Sequence, residues 1–164
     1  MGCAILGIDP TRVSATQEFR LGTVGGLDSD DGYKEYIYGR ANGAITAAGQ
    51  VVVEQGSYDF ALASTTTTAA GSSGHGSRVG VAAAVMADND YGWFQIYGQA
   101  SIDTAANAAA GTRLNSTGTG GRVDDDGSIG AEAINGMVLR AATGGAAAVN
   151  TSGRLSYPTV GATL

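Results

Sequence analysis

An all-β fold, a small β-barrel or sandwich built from repeated hairpins with an extended N-terminal arm, is what this sequence predicts. Three observations carry that expectation. Residues 79–102, VGVAAAVMADNDYGWFQIYGQASI, read as a small-residue strand, an acidic turn and an aromatic strand. Weaker versions of that hairpin occur twice more. The third observation is composition: 27 glycines against two prolines in 164 residues suit thin strands and tight turns and leave few large side chains for a catalytic cleft.

Residues 1–20, MGCAILGIDPTRVSATQEFR, show neither strand alternation nor a capped amphipathic helix, and Asp9-Pro10 breaks any regular element. They read as an arm carrying Ile5, Leu6, Ile8, Val13 and Phe19 toward a surface, either a partner's or that of the chain's own barrel. Residues 21–164 read as one β-barrel domain. In it, residues 21–24 parallel 79–82, the acidic run 28–32 takes the turn position, and 36–41 parallel 95–100. The two Tyr-Gly-x-Ala units, beginning at Tyr38 and Tyr97, stand 59 residues apart, and an Ala-Gly turn follows each, at Ala48-Gly49 and Ala110-Gly111. A third, degraded copy starts at residues 134–139 and passes through Gly144-Gly145 to residues 146–149. Within the leading copy, 79–86 form a continuous apolar run, as a strand buried on both faces would. Asp88, Asn89 and Asp90 are residues that turn a backbone by bonding to it.

Two segments interrupt the pattern. Residues 64–77, STTTTAAGSSGHGS, are polar and of low complexity, which predicts a flexible surface loop, and 115–130 predict a second loop or wide turn. Residues 105–111 have helical propensity over too short a length to fix a helix. Residues 154–158 predict a last short strand ended by Pro158.

The charge is −6 with a pI near 4.5, which disfavours nucleic acid, because phosphate contact needs clustered Lys and Arg. The single Cys3 cannot form an internal bridge; MGCAILG has no basic lead-in of a signal peptide, and no apolar run reaches the ~18 residues of a membrane span. His75, the one histidine, lies in the Gly/Ser loop with no Gly-x-Ser-x-Gly elbow, and reads as a solvated side chain; one Cys and one His cannot make a zinc site. Asp28/Asp30 and Asp88/Asp90 could offer oxygens to calcium, but neither matches a calcium-binding loop, and no phosphate-cradling glycine motif occurs. Asn115 and Asn150 fit the glycosylation sequon without a secretory context. No catalytic residue, cofactor or metal is assigned. The aromatics remain: Tyr36 and Tyr38 share one face of their strand, and Trp93 and Tyr97 share the corresponding face of theirs. Pointing outward, those four make an interface or a sugar-stacking patch; under a second layer, they make core.

The strings YIYGRANGAITAAGQVV, RVGVA, MADNDYGWFQIYGQASI and LSYPTVG resemble the head decoration (cement) proteins of tailed bacteriophages, over residues 21–161 and most specifically in DYGWFQIYGQA. The resemblance implies a non-enzymatic β-barrel on the outer capsid surface of the virion, assembled in the host cytoplasm. It implies that the partner is the major capsid protein, that the chain self-associates as a homotrimer, and that neither nucleic acid nor membrane is bound. Candidate capsid or subunit contacts are Ile5, Leu6, Ile8 and Phe19 of the arm, with Tyr36, Tyr38, Trp93 and Tyr97 of the barrel. The alternatives from other classes are a carbohydrate-binding adhesion module stacking sugars on Trp93, and a hydrolase using His75.

Overall fold

A computed structural model describes residues 5–145 and 147–164, with side chains from Gly7 onward. The chain is all-β, and no helix occurs among the described residues. Its strands are β1 (Ile5–Leu6), β2 (Val24–Ser29), β3 (Gly32–Ala41), β4 (Val51–Glu54), β5 (Asp59–Leu62), β6 (Val79–Ala82), β7 (Tyr91–Thr104), β8 (Leu114–Ser116), β9 (Val123–Asp124), β10 (Glu132–Leu139) and β11 (Val149–Thr163).

Hydrogen bonding joins them in the order β1-β2-β3-β5-β4-β6-β7-β11-β10-β8-β9, and β7 pairs additionally with β3 and with β9. Those two extra pairings close two rings. The first runs β3-β5-β4-β6-β7 and back to β3; the second runs β7-β11-β10-β8-β9 and back to β7. The long strand β7 belongs to both. The circuits match strand for strand. In each, the long first strand meets the third strand in parallel (Ala41 opposite Phe60; Thr104 opposite Val123), and every other neighbour is antiparallel.

The loops repeat as well. Gly49 N–H donates to the Ala82 carbonyl at 2.9 Å in the first ring, and Gly111 N–H donates to the Leu139 carbonyl at 3.1 Å in the second. Both glycines sit at positive φ, +91° and +75°, so the two Ala-Gly turns read from the sequence are one device used twice. The three hairpin copies are β2–β3, β6–β7 and β10–β11. The reading of Ala146 in the third copy lies outside the described residues.

Each ring has its own core. One buried cluster takes Ile37, Val52, Phe60, Ala82, Phe94 and Ile96 from the five strands of the first ring. The other takes Ile102, Leu114, Val123, Ile134 and Leu155 from the second, and adds Val51, Val53, Val79 and Val81. Successive residues of β4 and β6 therefore point into different cores, and these strands form the wall between them. That is why 79–82 read as an unbroken apolar run. The strand stops at Ala82, however, and Val85 is exposed.

Two expectations change, at residues 64–77 and at Pro158, and two readings left open, at residues 105–111 and along the N-terminal segment, are decided. Residues 64–77 are anchored: Thr68 is fully buried and donates to the Ser64 carbonyl and to Ser116 Oγ, and Gln55 holds the Thr67 carbonyl. Hydroxyls that make the segment look disordered satisfy its backbone instead. Residues 105–111 form a loop, with Asn107 at φ 63°. The last strand does not stop at Pro158. It bends there, where the β7 pairing ends at Ser156 and the β10 register shifts between Leu155 and Thr159, so the missing N–H falls at an irregularity. Finally, β1 lies parallel to β2, and Ser14 and Tyr91 exchange two backbone bonds of 3.0 and 2.8 Å, which lays the segment 7–21 across the first ring's outer face.

Candidate binding face

The aromatic face read from the sequence exists, but most of it is covered. Alternation along β3 and β7 puts Tyr36, Tyr38, Trp93 and Tyr97 on the outer side of the first ring, with Tyr38 directly opposite Trp93. There Ile8 and Phe19 close over them. The Phe19 ring lies 5.2 Å from Tyr38 and 5.3 Å from Trp93, and Tyr38 and Trp93 are 5.1 Å apart, edge to face. Gly25 makes room for this layer, since a Cβ there would stand 2.6 Å from Ile8 Cγ2. Tyr36, Tyr38, Trp93 and Ile8 are buried, so of the two readings the covered one holds for these residues: they form a third small core, and Ile8, Tyr36, Tyr38 and Trp93 are corrected from surface contacts to core. Trp93, 1% exposed, offers no ring face to a sugar. The side chains of Ile5 and Leu6 lie outside the described residues.

Tyr97 is the one member of that set left on an open face. Beyond Ser156 the bend of β11 holds Tyr157 at φ 49°, a left-handed conformation unfavourable for a bulky residue, and half exposes it. Its ring stacks on Tyr97 at 5.2 Å and 29°, and its hydroxyl donates to Glu35 Oε2 at 2.8 Å. That hydrogen bond, then partial burial, pushes the Tyr157 phenol up to about 12. Tyr33 stands nearby, its phenol raised by desolvation and then by the Glu35 charge.

Next to these rings, a shallow cleft of about 250 Å³ is lined by Asp31, Tyr33, Tyr97, Gln99, Arg140 and Arg154. Arg154 sits opposite Gln99 on one side and Val138 on the other, and Arg140 N–H bonds the Ser152 carbonyl. Residues two apart on a strand share a face, so both arginines project with Tyr97 from the second ring's outer surface. Sequence reading missed Tyr33, Arg140, Arg154 and Tyr157. The signal was present in β11, where exposed Ser152, Arg154 and Ser156 alternate with buried Thr151, Gly153 and Leu155.

The remaining candidates are dispersed. His75 is exposed between Gly74 and Gly76. Asp88 and Asp90 spend carboxylate oxygens on the backbone N–H groups of Gly43 and Ala87. Among the described residues the acids that gather are Asp124, Asp125 and Asp126, within 4.8 Å of one another; burial raises Asp124, and Asp125 accepts from Ala109 N–H. No protein-family model matches the chain, and no curated protein matches it in sequence.

Proposed function

We propose that this chain is a structural decoration module that acts by binding: it docks on the outer surface of a tailed-phage capsid, on the major capsid protein lattice, and braces the head against the pressure of packaged DNA. The observation that carries the reading is the bare outer face of the second ring, where Tyr33, Tyr97 and Tyr157 stand beside Arg140 and Arg154. Tyrosine and arginine are the residues that dominate protein–protein interface energies, and the first ring buries its equivalent face under its own chain. The resemblance of the Tyr-Gly-x-Ala blocks to head decoration proteins points the same way. Repeated over a lattice, modest single contacts add up by multivalency, and self-association as a trimer would multiply them again.

The test is co-sedimentation of the full-length chain with cognate phage heads, beside light scattering of the free protein. Saturable binding at a fixed ratio to capsid subunits is expected. A chain that stays in the supernatant at every concentration overturns the reading.

A further inference from the structure

We propose that the Arg140–Arg154 cleft is a carboxylate-binding site, built to receive a cluster of acidic side chains on the partner protein's surface. The identity of that partner rests on the capsid reading; the chemistry of the site does not. The chain holds only nine Lys and Arg residues against fifteen Asp and Glu. Five of those cations, Arg12, Lys34, Arg40, Arg78 and Arg122, lie in ion pairs with Glu18, Asp31, Asp59, Glu54 and Asp103. Among the described residues Arg20, Arg113, Arg140 and Arg154 join none, although the chain has acids in excess, and of these four Arg140 and Arg154 line one cleft. Arg140 faces Ser152 and Arg154 faces Val138, so the two guanidinium groups are diagonal neighbours on one face, within reach of a shared anion. Two unpaired cations in one cleft favour an anion there.

The form of the anion follows from the surroundings. A guanidinium presents a planar fork that matches a carboxylate with two parallel hydrogen bonds, and the Gln99 amide and the Tyr97 hydroxyl add neutral partners at the cleft wall. Asp31, a lining residue of the cleft, has its carboxylate drawn to Lys34 at 3.6 Å, and Glu35, outside the lining, is bonded to Tyr157. Asp28 and Asp30 lie on the same β2–β3 hairpin as Asp31. A polyphosphate backbone running along this face would meet all of those acids, whereas one or two carboxylates from a folded partner need engage only the two arginines and meet Asp31 alone, whose charge Lys34 offsets. The stacked tyrosines then supply the apolar contact that a protein surface offers and a free ion does not.

An amide NMR titration of the full-length protein with a short glutamate peptide tests the site, with a lysine peptide and an oligonucleotide as comparisons at the same ionic strength. Saturable shifts confined to residues 31–33, 97–99, 138–140 and 152–157 are expected from the glutamate peptide alone. The Arg140→Gln/Arg154→Gln variant, checked first for an unchanged melting curve, should bind it at least about tenfold more weakly, the loss of one charged hydrogen bond or more. Shifts that fail to saturate, that persist in the variant, or that favour the oligonucleotide overturn the proposal. The same variant with phage heads separates the two readings. If the native chain sediments with heads and the variant does so equally, the cleft is not the docking site and the capsid reading stands. If the native chain binds the peptide and not the heads, the site stands and the capsid reading falls.

Discussion

The first ring covers its outer face and the second leaves it bare, although both follow the same circuit and share β7. In the first, Tyr38 of the repeated Tyr-Gly-x-Ala unit lies beneath Phe19 and is 1% exposed. In the second, the corresponding Tyr97 is capped only by the half-exposed Tyr157. The interiors differ too. The first core is built around Phe60 and Phe94, stacked at 4.3 Å, and the second around Ile102, Leu114, Leu139 and Leu155. A circuit that tolerates aromatic and aliphatic fillings alike specifies its strand order through turns and closures, and the side chains on the outer face are left free to differ. Where they differ most, at the second ring's arginines and tyrosines, the candidate site lies.

The sharpest way to break this comparison is to hollow out each ring separately. Phe60→Ala should cost roughly 3–5 kcal/mol and Leu114→Ala roughly 2–5 kcal/mol, the usual loss for truncating a fully buried side chain. Because β7 and the β4/β6 wall serve both cores, each variant should lower the midpoint of one common transition in calorimetry. Two resolved transitions in either variant would show that the rings are independent units, and the shared-strand account would fail.

A smaller effect sharpens the comparison at the closures. Beside the parallel pair Ala41–Phe60, Arg40 bonds Asp59 at 2.7 Å; beside the equivalent pair Thr104–Val123, Asp103 is bonded by Arg122 at 3.1 Å. The second ring makes the same ion pair with the charges exchanged. Arg40→Asp alone sets two acids against each other and should lower the melting midpoint by a small amount, as expected of a partly exposed pair. Arg40→Asp with Asp59→Arg copies the second ring's arrangement and should restore most of that loss in a double-mutant cycle. Absence of any rescue would mean that the two closures are not equivalent.

The hairpins were legible in the sequence because their signals are local: the acidic turns, the alternation of 93–97, and the Ala-Gly turns at residues 49 and 111. The ring closures were not, since they consist of one or two parallel pairs between residues far apart, with no local signature. The exchanged ion pairs are invisible for the same reason. The burial of Trp93 depends on Ile8 and Phe19, which lie in a segment with no periodicity to announce which face it covers. Tyr157 was hidden by Pro158, read as a strand end when it marks a bend.

The smallest expected effect lies at that bend and contrasts the two tyrosine settings directly. The Tyr38 hydroxyl accepts a hydrogen bond from Glu18 N–H at 3.0 Å, while the Tyr157 hydroxyl donates to the Glu35 carboxylate. Ionising Tyr157 would forfeit the hydrogen bond it donates to Glu35, charge a partly buried ring and set a phenolate against that carboxylate, which is why its value rises from 10.0 to about 12. A folded-state value above the unfolded one means a contribution to stability that is whole below pH 10 and fades as the pH climbs toward 12. With the ring half exposed, water screens much of that contribution. Glu35→Gln removes the charge and keeps an acceptor, so the alkaline ultraviolet titration of Tyr157, identified by its loss in Tyr157→Phe, should move down toward the ordinary tyrosine range. An unmoved titration in Glu35→Gln would mean that the hydrogen bond and burial, and not the carboxylate charge, hold the proton. The strained Tyr157 would then be fixed by its stack on Tyr97 and a hydrogen bond indifferent to the charge of its acceptor.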